Sequence, residues 1–522
     1  MKQFDLANKL FILILALPFV VLFTGITPAD YHLLKQIELS TYFSNSLIII
    51  CLALIMANII GVILAWLSSF YYFKHKRLFE IMAILPLAIP AYILAIIYGY
   101  ISEIEIAYIC QQISGAYCHI SLRNLFGAAL IFALGFFPYI FLFCKSYFYK
   151  VKTQLMIGSV YNLTHRKIFK HIALPALLPA IISSNLLIAM EIVADFGVVS
   201  FFGIETFATE IYRFWFFKNN IEIALLLSVI LLVFILILSA LGYLSKTKRS
   251  YEIDQVNLNN EHFAELSGKK LFYLWLGAGL VFFFSFLLPV LTMLGWSITH
   301  LDIFIAKKTL SSLANSVILA LLGGLFICFC SFFNVSYNKL NRRNPSILSQ
   351  IISLGYAIPG SVIAIAVIYT LFNIFELLNL DIQLTGIAAI IALIYAYQIR
   401  FTAICYNKFN SGWEQISDEV QIVSKTFLRN NFLRTFKIIL PTLQKTFLVS
   451  LLIIMIEISK ELPATLILRP FNFDTVATRT YMLASDESVK EAGATALLIV
   501  LANLLPILFL QKYLYQKTNV KT

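Results

Sequence analysis

Charged residues are scarce in this sequence of 522 residues, where Asp, Glu, Lys and Arg together make up 13%. Hydrophobic residues make up 60%, and the mean hydropathy is +0.86. A soluble domain is usually about 25% charged and about 45–50% apolar. The composition therefore excludes an ordinary soluble protein, a disordered chain and a nucleic-acid-binding protein. It predicts a polytopic membrane protein.

Nucleotide-binding and catalytic motifs are also missing from the sequence. It contains no G-x-x-x-x-G-K-[ST] motif, and the run Ser267-Gly268-Lys269-Lys270 is no substitute for one. It contains no H-E-x-x-H and no nucleophile–base constellation, and its seven histidines form no metal-ligand cluster. We therefore predict no enzyme activity, no bound cofactor and no firm metal site in this chain.

Cysteines are few and scattered, so a disulfide scaffold is excluded. Only Cys110 and Cys118 share a predicted loop outside the membrane. They form a disulfide if that compartment is oxidising and remain free thiols if it is not, and spacing alone does not decide.

Twelve stretches are apolar and long enough to cross a bilayer as helices, for which about 20 residues suffice. They are residues 10–27, 46–72, 79–101, 124–149, 178–200, 221–244, 271–298, 316–337, 347–375, 384–406, 446–468 and 492–515. No small-x-small cleavage site follows the first stretch, so it is predicted to be a retained helix and not a signal peptide.

The net charge of +12 is explained by the predicted membrane topology. With both termini cytoplasmic, the seven inner segments hold 29 of the 39 lysines and arginines. The segment from Arg400 to Lys445 alone holds 7 of them. Basic residues concentrate on the cytoplasmic side of membrane proteins. The basic pI therefore does not indicate a polyanionic partner.

The chain is an internal duplication. Glu205–Tyr212 and Asp474–Tyr481 share the pattern acid-T-x-A-T-x-x-Y at a separation of 269 residues. Four further pairs keep nearly the same separation, in the same order along the chain: Asn45-Ser46 with Asn315-Ser316, Ala88-Ile89-Pro90 with Ala357-Ile358-Pro359, Leu174-Pro175 with Leu440-Pro441, and Glu191 with Glu457. Each repeat contains six predicted spans.

An even number of spans gives both repeats the same orientation in the membrane. They are therefore expected to be related by a pseudo-twofold axis along the membrane normal. We predict a first six-helix domain over 1–244, a cytoplasmic linker over 245–270 and a second six-helix domain over 271–522. This all-α architecture has a natural pathway at its centre, which favours a transporter.

Two long cytoplasmic loops, 150–174 and 407–440, occupy matching places in the repeats. Each carries an apolar stripe at helical spacing against a basic face: Ile168, Phe169 and Ile172 in the first, and Phe432, Leu433 and Phe436 in the second. One interpretation is a helix lying on lipid headgroups. The other is a paired docking element for a cytoplasmic partner, which the presence of two equivalent copies favours.

Both loops end as I-x-L-P, with Leu174-Pro175 and Leu440-Pro441. This resembles the end of the EAA loop of ATP-binding-cassette (ABC) importer permeases, in which the loop docks into a groove of the ATPase. Counting back from each proline puts Asn162 and Leu428 at the family's glycine position. Asn adopts the left-handed conformation that glycine supplies, whereas Leu does so rarely. A turn is therefore expected at Asn162, and the second loop is expected to be continuous helix at Leu428.

Two downstream segments narrow the resemblance. Residues 193–216 contain A-D-F-G and T-E-I-Y-R, and residues 460–481 contain K-E-L-P-A-T and A-T-R. They are similar to the two halves of fused ferric-iron ABC permeases. The resemblance implies two tandem MetI-like permease domains in a bacterial inner membrane, with the termini cytoplasmic. It implies a separate ATPase in two copies that uses the ATP, and a periplasmic or extracellular solute-binding protein. A fused thiamin permease shares the architecture, so thiamin or another small solute is the alternative substrate.

Four carboxylates lie in apolar stretches, namely Glu191, Asp195, Glu457 and Glu461. Each pair is spaced i, i+4, which predicts one helix face. From Pro175 and Pro441 the pairs lie about 24 and 30 Å along a helix, which predicts the outer end of the pathway. The functional interpretation is an acidic mouth for a cation, since hard cations such as Fe³⁺ prefer oxygen ligands.

The structural interpretation of these acids is charge pairing. Lys460 lies three residues after Glu457, and Arg213 or Arg479 is a possible partner for the others. Tyr212 and Tyr481 either offer phenolic oxygens to iron at the mouth or belong to an interfacial aromatic belt. Pro90 and Pro359 are predicted to kink pathway helices.

Two other classes of function remain. A secondary transporter built from two six-helix halves would depend on an ion gradient and bind no ATPase. A polytopic membrane enzyme would need a convergent catalytic cluster, and none is visible. The paired loops favour the ABC importer.

Overall fold

The computed structural model describes residues 2–25, 37–114, 121–160, 164–245, 264–340, 355–379 and 385–519, except 415, 418, 421–425, 427, 429 and 430. The described chain is almost entirely helical, as the composition predicts. Its two short strands, β1 (Tyr71–Tyr72) and β2 (Ala264–Glu265), pair in parallel and attach the end of the predicted linker to the first repeat.

The helices follow the chain in two similar series. Those of the first repeat are α1 (Lys2–Thr24), α2 (Leu39–Phe70), α3 (Lys76–Ile84), α4 (Ala91–Tyr100), α5 (Ile106–Ser114), α6 (Leu125–Val160), α7 (His165–Ile168), α8 (Leu174–Ala194), α9 (Gly197–Phe201), α10 (Phe207–Phe216) and α11 (Ile221–Ser245). Those of the second repeat are α12 (Gly268–Phe282), α13 (Leu288–Thr299), α14 (Asp302–Ile305), α15 (Lys307–Leu340), α16 (Gly360–Leu377), α17 (Gly386–Trp413), α18 (Asn431–Arg434), α19 (Leu440–Thr442), α20 (Gln444–Lys460), α21 (Pro463–Leu468), α22 (Val476–Ser485) and α23 (Val489–Asn519).

Single turns of other helical geometry join some of these helices. Residues Ile101–Glu105, Phe169–Ala173, Phe283–Leu287 and Thr435–Ile439 are π-helical, and Leu85–Ala88 and Gly355–Ala357 are 3₁₀ turns.

Nine of the described helices, some continued through a π turn, are long and apolar enough to cross a membrane. A tenth is obtained if Asn431–Thr442 and Gln444–Lys460 count as one span bent by 78°. The first predicted span falls on α1, whose apolar part Phe11–Thr24 is shorter, and the last falls on α23. The prediction of a polytopic all-α membrane protein is confirmed.

Four predicted spans are interrupted, two of them at the prolines where the sequence predicted kinks. In 79–101 and 347–375 a 3₁₀ turn ends before Pro90 or Pro359, and a new helix starts at the next residue. The predicted proline kinks are therefore complete breaks, because proline lacks the N–H that a helix interior needs. In 178–200 and 446–468 the helix ends at Ala194 or Lys460, and the next residue is extended.

The sequence repeat is also a repeat of hydrogen bonds. Asn45 Nδ2 donates to the Glu205 carbonyl at 2.9 Å, and Asn315 Nδ2 donates to the Asp474 carbonyl at 3.0 Å. Thr206 and Thr475 each begin a helix with a capping box. In both boxes the side chain of the threonine three residues later accepts the backbone N–H of the capping residue. The duplicated residues therefore perform the same local task twice.

The first helices of the two repeats pack across to the opposite repeat. Helix α1 packs against α16, while α12 and α13 pack against α3 and α4. The Tyr98 hydroxyl donates to the Phe284 carbonyl, and the Trp296 and Tyr100 rings meet edge to face at 5.2 Å. Because the first helices of each repeat pack on the other repeat, they join the two series of helices.

The predicted outer disulfide falls partly outside the described residues. Cys110 is disulfide-bonded, and Cys118 lies outside the described part of the chain.

Candidate transport pathway

A cavity of about 110 Å³ lies between the two repeats and gathers the charged residues predicted from the sequence. We call it the charged chamber. It is lined by Glu191, Asp195, Glu457 and Glu461, together with Lys460 and an additional base, Arg400. The structure therefore brings all four acids together, although they come from two repeats.

Asp195 and Glu461 do not share a helix face with Glu191 and Glu457, so that prediction was wrong. Each is the first extended residue after a helix end. The Val198 amide donates to Asp195 Oδ1 at 2.8 Å, and the Ala464 amide donates to Glu461 Oε1 at 3.2 Å. Carboxylates stabilise a helix start in this way because its first amides lack partners within the helix. Asp195 and Glu461 therefore each stabilise the helix start that follows the break in their span.

Arg400 is the partner that the sequence analysis missed. Its Nε lies 3.3 Å from Glu461 Oε2, and both side chains are at least nine-tenths buried. The sequence analysis counted Arg400 in a cytoplasmic segment, but it lies inside α17 and is 8% exposed. Its position within the run Ala396-Tyr397-Gln398-Ile399-Arg400-Phe401 was the available signal, because a buried base needs an acid nearby.

Gly360 lets this ion pair sit against the start of α16. A Cβ at this position would overlap Glu461 Oε1 and would lie 2.9 Å from Arg400 Nη1. Pro359 breaks the span immediately before it. The break in one span and the buried ion pair are therefore parts of the same arrangement.

Lys460 joins the second repeat to the broken span of the first. Its Nζ donates to the Leu87 carbonyl at 2.8 Å, and Asn503 Nδ2 donates to the neighbouring Ala88 carbonyl at 3.3 Å. These carbonyls belong to the 3₁₀ turn, where a regular helix partner is missing. The hydrogen bond of Lys460 therefore goes to the backbone, whereas the sequence suggested an ion pair with Glu457.

Arg213 and Arg479, the other suggested partners, bind elsewhere. Arg213 Nη1 lies 3.3 Å from Glu210 and 3.5 Å from Glu205, and Arg479 Nε donates to Thr309 Oγ1 at 3.1 Å. Within the described residues, no lysine or arginine lies within 4.0 Å of the carboxylate of Glu191 or Glu457. These two acids, which we call the open acids, are therefore the ones that line the chamber without a close basic partner among the described residues.

A second cavity of about 550 Å³ lies beyond the ends of α8 and α20, and we call it the outer cavity. Tyr212 and Tyr481, which the repeat matches, both line it. The hydroxyl oxygens of Tyr481 and Ser200 are 2.7 Å apart. Burial raises the pKa of both phenols above the usual value, so both stay protonated at neutral pH.

The two predicted coupling loops are anchored to their own repeats in the same way. The Phe169 ring lies 5.0 Å from Trp66 of α2, and the Phe436 ring lies 5.1 Å from Phe333 of α15. Each apolar stripe is therefore held, at least in part, by a membrane helix of its own repeat.

The repeat-matched ends of these loops differ in geometry. Leu174 and Pro175 begin α8 directly, while Leu440 and Pro441 begin the short α19 before the 78° bend. Leu428 lies outside any helix, so the expectation of continuous helix there was wrong. Asn162 lies outside the described residues.

Comparison with known proteins agrees with this arrangement. Residues 57–250 match the family described as binding-protein-dependent transport system inner membrane component. The chain is also 26% identical, over 96% of its length and 96% of the relative's, to Fe(3+)-transport system permease protein FbpB 2 of Haemophilus influenzae. Residues 57–250 thus resemble the binding-protein-dependent transport system inner membrane components, and nearly the whole chain is similar to a protein named as a ferric-iron transport permease.

Proposed function

We propose that this chain is the permease subunit of an ABC importer that carries ferric iron across a bacterial cytoplasmic membrane. Residues 1–244 and 271–522 form its two permease domains, and the linker 245–270 and both termini lie in the cytoplasm. A solute-binding protein delivers the iron from outside. A separate ATPase, in two copies, uses the ATP, and this chain itself binds no cofactor.

The observation that carries the proposal is the charged chamber between the repeats. Four carboxylates face one guanidinium and one ammonium group, so two negative charges are in excess when all are ionised. Charged side chains in a membrane interior usually face a cavity or a partner. Helix α8 spans about 30 Å from the coupling loop to the chamber, which fits a chamber near the outer side.

The substrate class follows from the chemistry of the chamber and from the relative. Carboxylate oxygens suit hard cations, and the open acids Glu191 and Glu457 supply one from each repeat. The relative that aligns over nearly the whole chain is named as an Fe(3+)-transport permease. Iron is the cargo in this proposal, so the acids guide it and do not hold it tightly.

The coupling loops supply the docking surface for the ATPase. Leu174, Pro175 and Pro441 are exposed at the loop ends, and so are Phe432 and Leu433. An apolar, basic surface of this kind suits a groove in a protein partner. Two repeats present two such surfaces, which fits an ATPase dimer.

Uptake in vesicles tests the proposal. The chain is co-expressed with the ATPase and solute-binding subunits encoded beside it, and uptake of radiolabelled Fe³⁺ is measured with and without internal ATP. We expect uptake only with ATP. ATPase activity stimulated by a loaded binding protein without iron uptake would keep the importer class and replace the substrate, with thiamin tested next. Uptake driven by a proton gradient with no ATPase bound would overturn the proposal.

Neutralising Glu191 and Asp195 together is expected to lower this uptake while the complex stays assembled. Unchanged uptake would remove both residues from the mechanism. Asp195 also caps α9, so assembly is checked by co-purification of the ATPase.

A further inference from the structure

Phe196 lies where the two cavities meet. It follows Asp195 in the break between α8 and α9, and its side chain is 2% exposed. Of the residues that the structure describes around these cavities, Phe196 is the one that lines both. The ring is therefore a wall shared by the charged chamber and the outer cavity.

The backbone on both sides of Phe196 is fixed. The Asp195 carboxylate accepts the Val198 amide at 2.8 Å. Gly197 packs against Tyr92 so closely that a Cβ there would overlap the Tyr92 side chain. Each residue of the D-F-G segment thus has a physical role. Asp195 caps the start of the next helix, Gly197 permits close packing against Tyr92, and the Phe196 ring lies between the cavities.

The ring is held by one tyrosine from each repeat. Its centroid lies 4.7 Å from that of Tyr212 and 5.6 Å from that of Tyr481. The hydroxyl of Tyr481 is in turn bonded to Ser200 of the first repeat. Phe196 therefore contacts the two repeats where they meet, and a movement of one repeat relative to the other changes its packing.

The second repeat has no equivalent ring. The residue 266 positions later is Leu462, which lines the charged chamber but not the outer cavity. Among the described residues, the ring between the cavities is therefore contributed by the first repeat alone.

We propose that the Phe196 ring is the septum between the outer cavity and the charged chamber, and that a solute passes only when the ring leaves Tyr481. The inference rests on the proposed function in taking the two cavities as successive parts of one pathway. It adds the residue that closes the pathway and the contact that must open.

Cysteine accessibility tests the septum without any need for iron transport. Leu87→Cys places a thiol in the charged chamber, and Ser485→Cys places one in the outer cavity. Each is introduced into the full complex in right-side-out vesicles without ATP. The vesicles are treated from outside with a membrane-impermeant trimethylammonium methanethiosulfonate, and the labelling of native cysteines is subtracted.

With Phe196 present, the thiol at position 485 is expected to react at least tenfold faster than the thiol at 87. Phe196→Ala is expected to raise the rate at 87 at least tenfold and to leave the rate at 485 unchanged. Phe201→Ala is the matched control, because Phe201 ends the short helix that follows Phe196 and lines neither cavity. Phe196→Val serves as a milder truncation if the alanine variant does not assemble.

A rate at position 87 that stays within twofold of the parent in Phe196→Ala, or in Phe196→Val where that variant replaces it, would overturn the septum. So would a rate at 87 that already equals that at 485 in the parent. An accessibility change in a complex that carries no Fe³⁺ would keep the septum and overturn the proposed substrate. Iron uptake without the accessibility change would keep the proposed substrate and overturn the septum.

Discussion

At the scale of single residues, one arginine determines how the four acids of the chamber are used. Arg400 pairs with Glu461, and Asp195 is bonded to a helix start. Among the described residues, Glu191 and Glu457 line the chamber without a close basic partner. The four acids that look equivalent in sequence therefore fall into two structural acids and two that are open to a solute.

The first prediction concerns the two open acids. Glu191→Gln combined with Glu457→Gln removes both open charges and keeps the side-chain volumes. ATP-dependent Fe³⁺ uptake should fall at least tenfold, because the excess negative charge of the chamber is lost. Co-purification of the ATPase should not change.

Glu376→Gln is the matched control, since Glu376 lies exposed in α16 and lines neither cavity. It should leave uptake within twofold of the parent. Uptake in the double variant that equals the control would show that the open acids do not guide the cation.

The second prediction concerns the buried ion pair. Arg400→Met leaves Glu461 buried without its partner, which typically destabilises a protein by about 3–5 kcal/mol. Adding Glu461→Gln should recover much of the loss, because the uncompensated charge is then gone. Thermal unfolding of the purified complex in detergent measures both variants. A double variant no more stable than Arg400→Met would contradict the pairing.

At the scale of elements, the breaks in four spans position the site. Hydropathy alone does not reveal them, because the residues on either side of each break are equally apolar. Proline indicates two of the breaks, at Pro90 and Pro359. The other two breaks occur at Asp195 and Glu461, whose carboxylates cap the following turn. From sequence alone, a carboxylate in an apolar run is equally consistent with a pathway residue and with a helix cap.

The third prediction concerns the capping boxes. Thr206→Ala and Thr475→Ala each remove a side chain that starts a helix, which costs about 0.5–2 kcal/mol. The two variants should lower the unfolding temperature by similar amounts, because the boxes are repeat-matched. The serine variants at both positions keep the hydroxyl and should stay close to the parent. A large effect at one position alone would contradict equivalent roles.

The fourth prediction concerns the anchors of the coupling loops. Phe169→Ala and Phe436→Ala remove the rings that hold the loops against Trp66 and Phe333. Each should reduce co-purification of the ATPase, and the pair together should reduce it severalfold. Phe471→Ala is the control, because that ring is 94% exposed in the segment between α21 and α22. Full ATPase binding by the double variant would exclude these loops as the docking surface.

At the scale of the whole molecule, the exchanged first helices bind the repeats together. Helix α1 packs against α16, and α12 and α13 pack against α3 and α4. Each repeat alone would leave such a surface uncovered. The linker is therefore not the main connection between the two repeats.

The fifth prediction follows from that packing. The chain divided into 1–255 and 256–522 should assemble when both parts are co-expressed, and Fe³⁺ uptake should stay within about threefold of the parent. Either part expressed alone should accumulate poorly in the membrane. Stable accumulation of one part alone would contradict mutual dependence through the exchanged helices.

The sequence predicts the large-scale features well, because they follow from local properties. The polytopic, helical character follows from hydropathy, the duplication from matched residues such as Thr206 and Thr475, and the clustering of the acids from the repeat. The partner of Glu461 was missed because Arg400 lies far away in sequence, and a basic residue near a predicted span end was counted as cytoplasmic. Pairings of this kind depend on packing between distant helices.

Arg400 and Phe196 each line a cavity where the two sequence repeats meet, yet neither has a match at the corresponding position of the other repeat. In a homodimer, any residue near the axis faces its own copy, so such an assembly would carry two arginines there or none. In a single polypeptide with two diverged repeats, a residue near the axis can occur once. Joining the repeats in one chain therefore allows opposite sides of these cavities to carry different chemistry.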